Sequence, residues 1–128
     1  MTDFWPLELA ALEAIGTESA EWAAIVDQLS IRGKVRLRDN TGGGIFVEIE
    51  PGSDGTEIFR KRQASQKDVW LSVERLNYGL GIILHLKGDG IALLEGYAVG
   101  LEDTSNIDFE RVRFEITNKP GPLATNGS

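Results

Sequence analysis

The chain has no cysteine. That absence excludes disulfides, thiolate nucleophiles and cysteine-based zinc sites, without fixing a compartment. Histidine occurs once, at His85, so neither a His-x-His nor a His-Glu-x-x-His spacing exists and a histidine-anchored metal site is disfavoured. No run approaches the roughly 18 apolar residues that cross a bilayer, and no basic stretch precedes the first apolar residues. The expectation is a cytoplasmic chain with no membrane partner and no cofactor. There is no internal repeat.

What is present is ordinary for one globular domain: 128 residues, 41% hydrophobic and 26% charged, enough for a single core and too little for two. The formal net charge of -7 repels phosphates at long range, which disfavours nucleic acid and favours a protein partner, a basic one above all.

The best-specified stretch runs from Gly79 to Gly100, two apolar segments joined by Lys87-Gly88-Asp89-Gly90. Glycine and aspartate reach the positive φ of a two-residue hairpin turn cheaply. A loop at Gly88-Asp89 predicts one face with Leu80, Ile82, Leu84, Leu86, Ile91, Leu93, Glu95 and Tyr97. Gly81, Ile83, His85, Ala92, Leu94, Gly96 and Ala98 then make the other. With so few charges the ribbon belongs in the middle of a sheet.

Ahead of it, Pro6 suits a first helical turn with Asp3 upstream as cap, and Trp5, Leu9 and Leu12 recur at helical spacing with Glu8 turned elsewhere. Gly16 is a stop and Thr17 an N-cap for a second, antiparallel helix carrying Trp22, Ile25, Val26 and Leu29 on one stripe. From Lys34 the period becomes two. Lys34 to Arg38 and Ile45 to Glu50 read as half-exposed strands around the turn Asp39-Asn40-Thr41-Gly42, with Val35, Leu37, Ile45, Val47 and Ile49 inward. Residues 56–67 are open between a short strand, an edge excursion and a loop. Val69, Leu71 and Val73 mark a further strand, and 111–116 the last. The sum is an α+β domain over 1–116, two helices packed on a largely antiparallel sheet of about six strands, with a flexible tail at 117–128.

Candidate chemistry falls in few places. Consecutive glycines in Arg38-Asp39-Asn40-Thr41-Gly42-Gly43-Gly44 can turn N–H groups toward an anion, yet the loop leads into a strand, so a plain hairpin turn is the simpler reading. His85 lacks a carboxylate on its expected face and reads as structural. Glu95 lies among Leu93 and Tyr97, where a carboxylate either takes an arginine partner (Arg36, Arg38, Arg75, Arg111 or Arg113) or has a raised pKa suited to acid catalysis. Glu48, Glu50, Asp54 and Glu57 form either a calcium-gathering cluster or a solvated acidic rim. Arg60-Lys61-Arg62 with Lys67 is a basic counterpart. Phe46 and Trp70 either anchor a partner or pack beneath the helices.

Two segments resemble known patterns. Residues 38–46 resemble an Arg-x-x-Thr-Gly-x-Gly-Phe-Phe motif, with Ile45 at an aromatic position, and residues 94–100 resemble Leu-Glu-Gly-Tyr-x-x-Gly. Both patterns are associated with small bacterial proteins to which no activity is attached. The resemblance implies no cofactor or catalytic residue; it implies that the glycine turn and Glu95-Gly96-Tyr97 form one structural unit. Two functional expectations follow. One is a non-catalytic acidic protein-binding module of inhibitor or immunity type, using Phe46, Glu48, Glu50, Asp54 and Trp70. The other is a small-ligand protein or enzyme with a pocket at Arg38, Gly43, Glu95 and Tyr97.

Overall fold

A computed structural model of the chain describes residues 3–52 and 56–124. Helices α1 (Pro6–Ile15) and α2 (Ala20–Arg32) precede strands β1 (Lys34–Asn40), β2 (Gly44–Glu50), β3 (Arg62–Ala64), β4 (Val69–Val73), β5 (Leu80–Lys87), β6 (Ala92–Ala98) and β7 (Phe114–Thr117). The strands form one antiparallel sheet in the order β1-β2-β6-β5-β4-β7, with β3 added to β5. This is the expected α+β arrangement with one strand more. Residues 56–67 supply it, as a 3-10 turn (Thr56–Arg60) followed by β3.

The core lies between the helices and one sheet face. Trp22, Ile25, Val26 and Leu29 of α2 and Leu7, Ala11, Leu12 and Ile15 of α1 join Ile45, Val47, Ile49, Leu71, Leu80, Leu84 and Leu94 of the sheet. The helix starts differ from the expected ones. Trp5 caps α1, its N–H donating to Glu8 Oε1, and the Asp3 side chain is not the cap. Ser19, not Thr17, caps α2 by accepting from the Trp22 N–H. The buried stripe of α1 passes through Leu7 and Glu8 and leaves Leu9 on the wet side, because the stripe follows Ala11 and Ile15 rather than Trp5.

The central hairpin corrects the expected register. Leu86 pairs with Ala92, Leu84 with Leu94 and Ile82 with Gly96, so the connection 87–91 has an odd number of residues instead of two. Ile91 N–H is held by Asp89 Oδ1 at 2.9 Å, and Gly88 and Gly90 both take positive φ. Side chains alternate with period two, so a one-residue slip exchanges the faces of β6 relative to β5. Ala92, Leu94, Gly96 and Ala98 therefore join Leu80, Ile82, Leu84 and Leu86 under the helices. Leu93, Glu95 and Tyr97 join Gly81, Ile83 and His85 on the opposite, uncovered face.

Strand β1 carries a second phase change. Val35 pairs with Ile49 but Leu37 pairs with Glu48, a bulge at Arg36. A bulge adds one residue to one strand and reverses which side chains point inward beyond it. Val35 stays inward, whereas Leu37 emerges 53% exposed and Arg38 turns under α1. Among the described residues no helix is long and apolar enough to cross a membrane.

The packed face sets a stability contrast. Leu84→Ala, at a fully buried site, is expected to lower the unfolding free energy by about 2–5 kcal/mol in urea titrations. Leu101→Ala, at a side chain 97% exposed, is expected to change it by less than about 0.5 kcal/mol.

Candidate functional site

Three places in the fold concentrate polar chemistry, and the first is sealed. Glu8 on α1 is fully buried, and Arg38 on β1 meets it in a bidentate pair, Nε to Oε2 at 2.6 Å and Nη2 to Oε1 at 2.8 Å. The guanidinium also donates to the Asp3 carbonyl and lies 4.0 Å from the centroid of the Trp5 ring. The Nε and Nη2 donors of this arginine and one face of its guanidinium are thus engaged by the N-terminal segment. The adjoining cleft of about 200 Å³ touches Trp5, Glu8, Arg38, Asn40, Phe46 and Ile107. Its charged groups already satisfy one another.

The glycine loop is closed as well. Gly42 N–H donates to Asn40 Oδ1, Gly43 N–H to Thr41 Oγ1 and Gly44 N–H to the buried Thr104 Oγ1. No amide of the three is left for an anion, so the loop is a clamped hairpin turn. Thr104 also donates to Asn40 Oδ1 at 2.8 Å, tying the turn to the segment after β6. Gly44 lies so close to β6 that a Cβ there would meet the Gly96 carbonyl oxygen at 2.0 Å. Through this approach Gly44 faces Tyr97 and Phe46 faces Glu95, so the two familiar segments are one paired unit.

The third place is the uncovered sheet face. Its residues fall in rows across the strands: Trp70, Gly81, Tyr97 and Gly44; then Ile83, Glu95, Phe46 and Asp39; then Ala64, His85, Leu93, Glu48 and Leu37. Phe46 and Trp70 are half-buried here, away from the helices. Tyr97 lies against the bare backbone of Gly81, where a Cβ would come within 2.2 Å of its ring, and meets Trp70 edge to face at 6.2 Å. Such pairs contribute beyond their buried area. Glu95 Oε1 and His85 Nε2 are 2.9 Å apart. The expected arginine partner is therefore replaced by the imidazole, and His85 has the carboxylate it was expected to lack, both through the odd-numbered loop. Arg38 is committed to Glu8, and Arg36 lies 3.8 Å from Glu48.

A histidine oriented by a carboxylate is half of an acid–base device, and the other half is a nucleophile or a positioned substrate. The residues facing His85 across the ladder are Ala64 and Leu93, which supply neither. Nor do Arg38, Gly43, Glu95 and Tyr97 converge. Arg38 lies beneath α1, Gly43 in the clamped turn, and Glu95 and Tyr97 on the far side of the sheet. Of the acidic rim, Glu48 lies on the uncovered face, Glu50 and Glu57 are exposed, and Asp54 lies outside the described residues. Among the described residues no three histidine or acidic groups gather closely enough to hold a metal ion.

Burial, and then the negative charges of Asp68 and Glu95, raise the Tyr97 phenol above its ordinary 10.0. Asp103, which accepts from both the hydroxyl and the N–H of Ser105, is held below the usual carboxylate range. Comparison with family models, curated proteins and solved structures finds no match to this chain.

Two outcomes follow. Removing one partner of a buried ion pair strands the other charge, so Arg38→Met is expected to cost roughly 3–5 kcal/mol in denaturant titrations, and Glu8→Leu/Arg38→Met to recover most of the loss. A double variant no more stable than the single one refutes this account of the pair. A phenol raised by folding contributes stability that is complete below the unfolded value of 10.0 and is lost as pH rises through the folded value. Phenolate absorbance of the two tyrosines should accordingly contain a component above pH 10.0 that Tyr97→Phe removes.

Proposed function

We propose that the chain is a non-catalytic, acidic protein-binding module whose interface is the uncovered sheet face. The observation that carries this reading is a sheet whose helices, among the described residues, lie on one side, with a ridge of Leu37, Phe46, Ile83, Leu93, Trp70 and Tyr97 on the other, beyond the part that Gly121 covers at Ser72. Antiparallel sheets commonly leave one face to water, but that face then carries mainly polar side chains. Here the exposed centre is aliphatic and aromatic, and aromatic anchors amid polar neighbours are the usual make-up of a protein interface.

Charge specifies the kind of partner. Glu48, Glu95 and Asp39 lie along the ridge, with Asp68 acting on Tyr97, in a chain of net charge -7, which steers it toward a cationic surface. A concrete form is an inhibitor or immunity-type domain that covers a basic active site. The closed state of the Glu8–Arg38 pair and of the glycine loop favours this over a small-ligand pocket.

The test compares the immobilised wild-type chain with a Phe46→Ser/Glu48→Lys variant whose circular dichroism and thermal midpoint establish that it is folded. A basic protein retained from an extract of the source organism by the wild type and lost by the variant is the expected result. Equal retention by both, or none by either, overturns the assignment of this face.

A further inference from the structure

On the uncovered face, two aromatic rings and the Glu95 carboxylate lie around one aliphatic side chain, with Asp68 nearby. Trp70 and Tyr97 stand on either side of Gly81, one row from Ile83, and Glu95 is directly opposite Ile83 on β6. Asp68 immediately precedes β4, two residues before Trp70, and is close enough for its charge to act on Tyr97. Ile83 is thus a floor with Glu95 at one flank and an aromatic pair along one wall, and Asp68 adds negative charge near the tyrosine.

We infer that this box seats an arginine side chain of the protein partner. The inference rests on reading the uncovered face as an interface, and it names the chemistry that face recognises. Arginine suits the site for three reasons. Its guanidinium is planar and stacks on aromatic faces, it donates in two directions at once, and its methylene stem can lie on Ile83.

Both carboxylates have capacity for a donor. Glu95 gives Oε1 to His85, leaving Oε2 for an incoming N–H. Asp68 is exposed and has no hydrogen bond or ion pair among the described residues. The field of both reaches the Tyr97 oxygen, where it adds to burial in disfavouring the phenolate. Burial opposes a charge of either sign, whereas the carboxylate part of this effect favours a positive one. Of the cations on the neighbouring strands and loop, Arg36 is directed at Glu48, Arg38 lies beneath α1, Lys67 donates to Thr17 Oγ1, and Arg62 and Lys87 pair with each other's backbone at the far end of β5.

The probe is N-acetyl-arginine amide, with N-acetyl-citrulline amide as the uncharged isostere. Binding is followed by the Trp70 indole N–H resonance, identified by its loss in Trp70→Phe. A saturable shift with the arginine compound and none with citrulline is expected. Asp68→Asn and Glu95→Gln should each weaken binding by roughly threefold, as for an exposed ion pair, and the double variant should abolish saturation. A linear response, an equal response to citrulline, or indifference to the double variant overturns the arginine site. Because the retention assay uses Phe46 and Glu48, retention that survives while this titration fails rejects the site alone.

Discussion

Everything on the uncovered face of the sheet depends on the register of the central hairpin. A strand has only two faces, and the pairing of Leu86 with Ala92 assigns each side chain of β6 to one of them. That pairing places Ala92, Gly96 and Ala98 on the buried face, where Gly96 makes room for the side chains of Ile45, Leu80 and Ile82. It lifts Leu93, Glu95 and Tyr97 to the other side, beside His85. A slip of one residue would bury the carboxylate and the phenol and expose Leu94, so the apolar requirement of the core also enforces the arrangement of the outer face.

The helical layer is attached with comparable specificity. A fully buried glutamate contributes little by itself and carries a large desolvation cost, offset here by a guanidinium that binds both its oxygens and by the Trp5 N–H. The geometry is demanding enough to fix the start of α1 against β1, while the helix packs on β4, β5 and β7. It also explains why the N-terminal segment stays against the sheet: Trp5 stacks on the same arginine that the Asp3 carbonyl engages.

Much of this was legible in the residues. The Trp22 stripe, the alternation of Val69, Leu71 and Val73, the glycine turn and the central place of the 79–100 ribbon all follow from period and turn chemistry alone. The departures within the sheet share one physical origin, which is parity. A loop of odd length at 87–91 and a bulge at Arg36 each shift the phase of an alternating pattern by one, and neither has a composition that announces it. The error at the site follows from this. Glu95 looked like the acid within the apolar layer, whereas the buried acid is Glu8, whose neighbours Leu7 and Leu9 offered two competing helical stripes. The His85–Glu95 pair and the Trp70–Tyr97 contact are cross-strand neighbours, legible only once the register is known.

The bulge at Arg36 has a consequence for the rim of the sheet. Strand β1 is terminal in the strand order, and a straight terminal strand offers its free amides and carbonyls as a template for another chain. The extra residue interrupts that row and increases the local twist, while Lys34, Arg36 and Asp39 line it with charge. The irregularity that turns an arginine inward thereby guards the border against runaway stacking of copies, and leaves lateral growth of the sheet closed on that side.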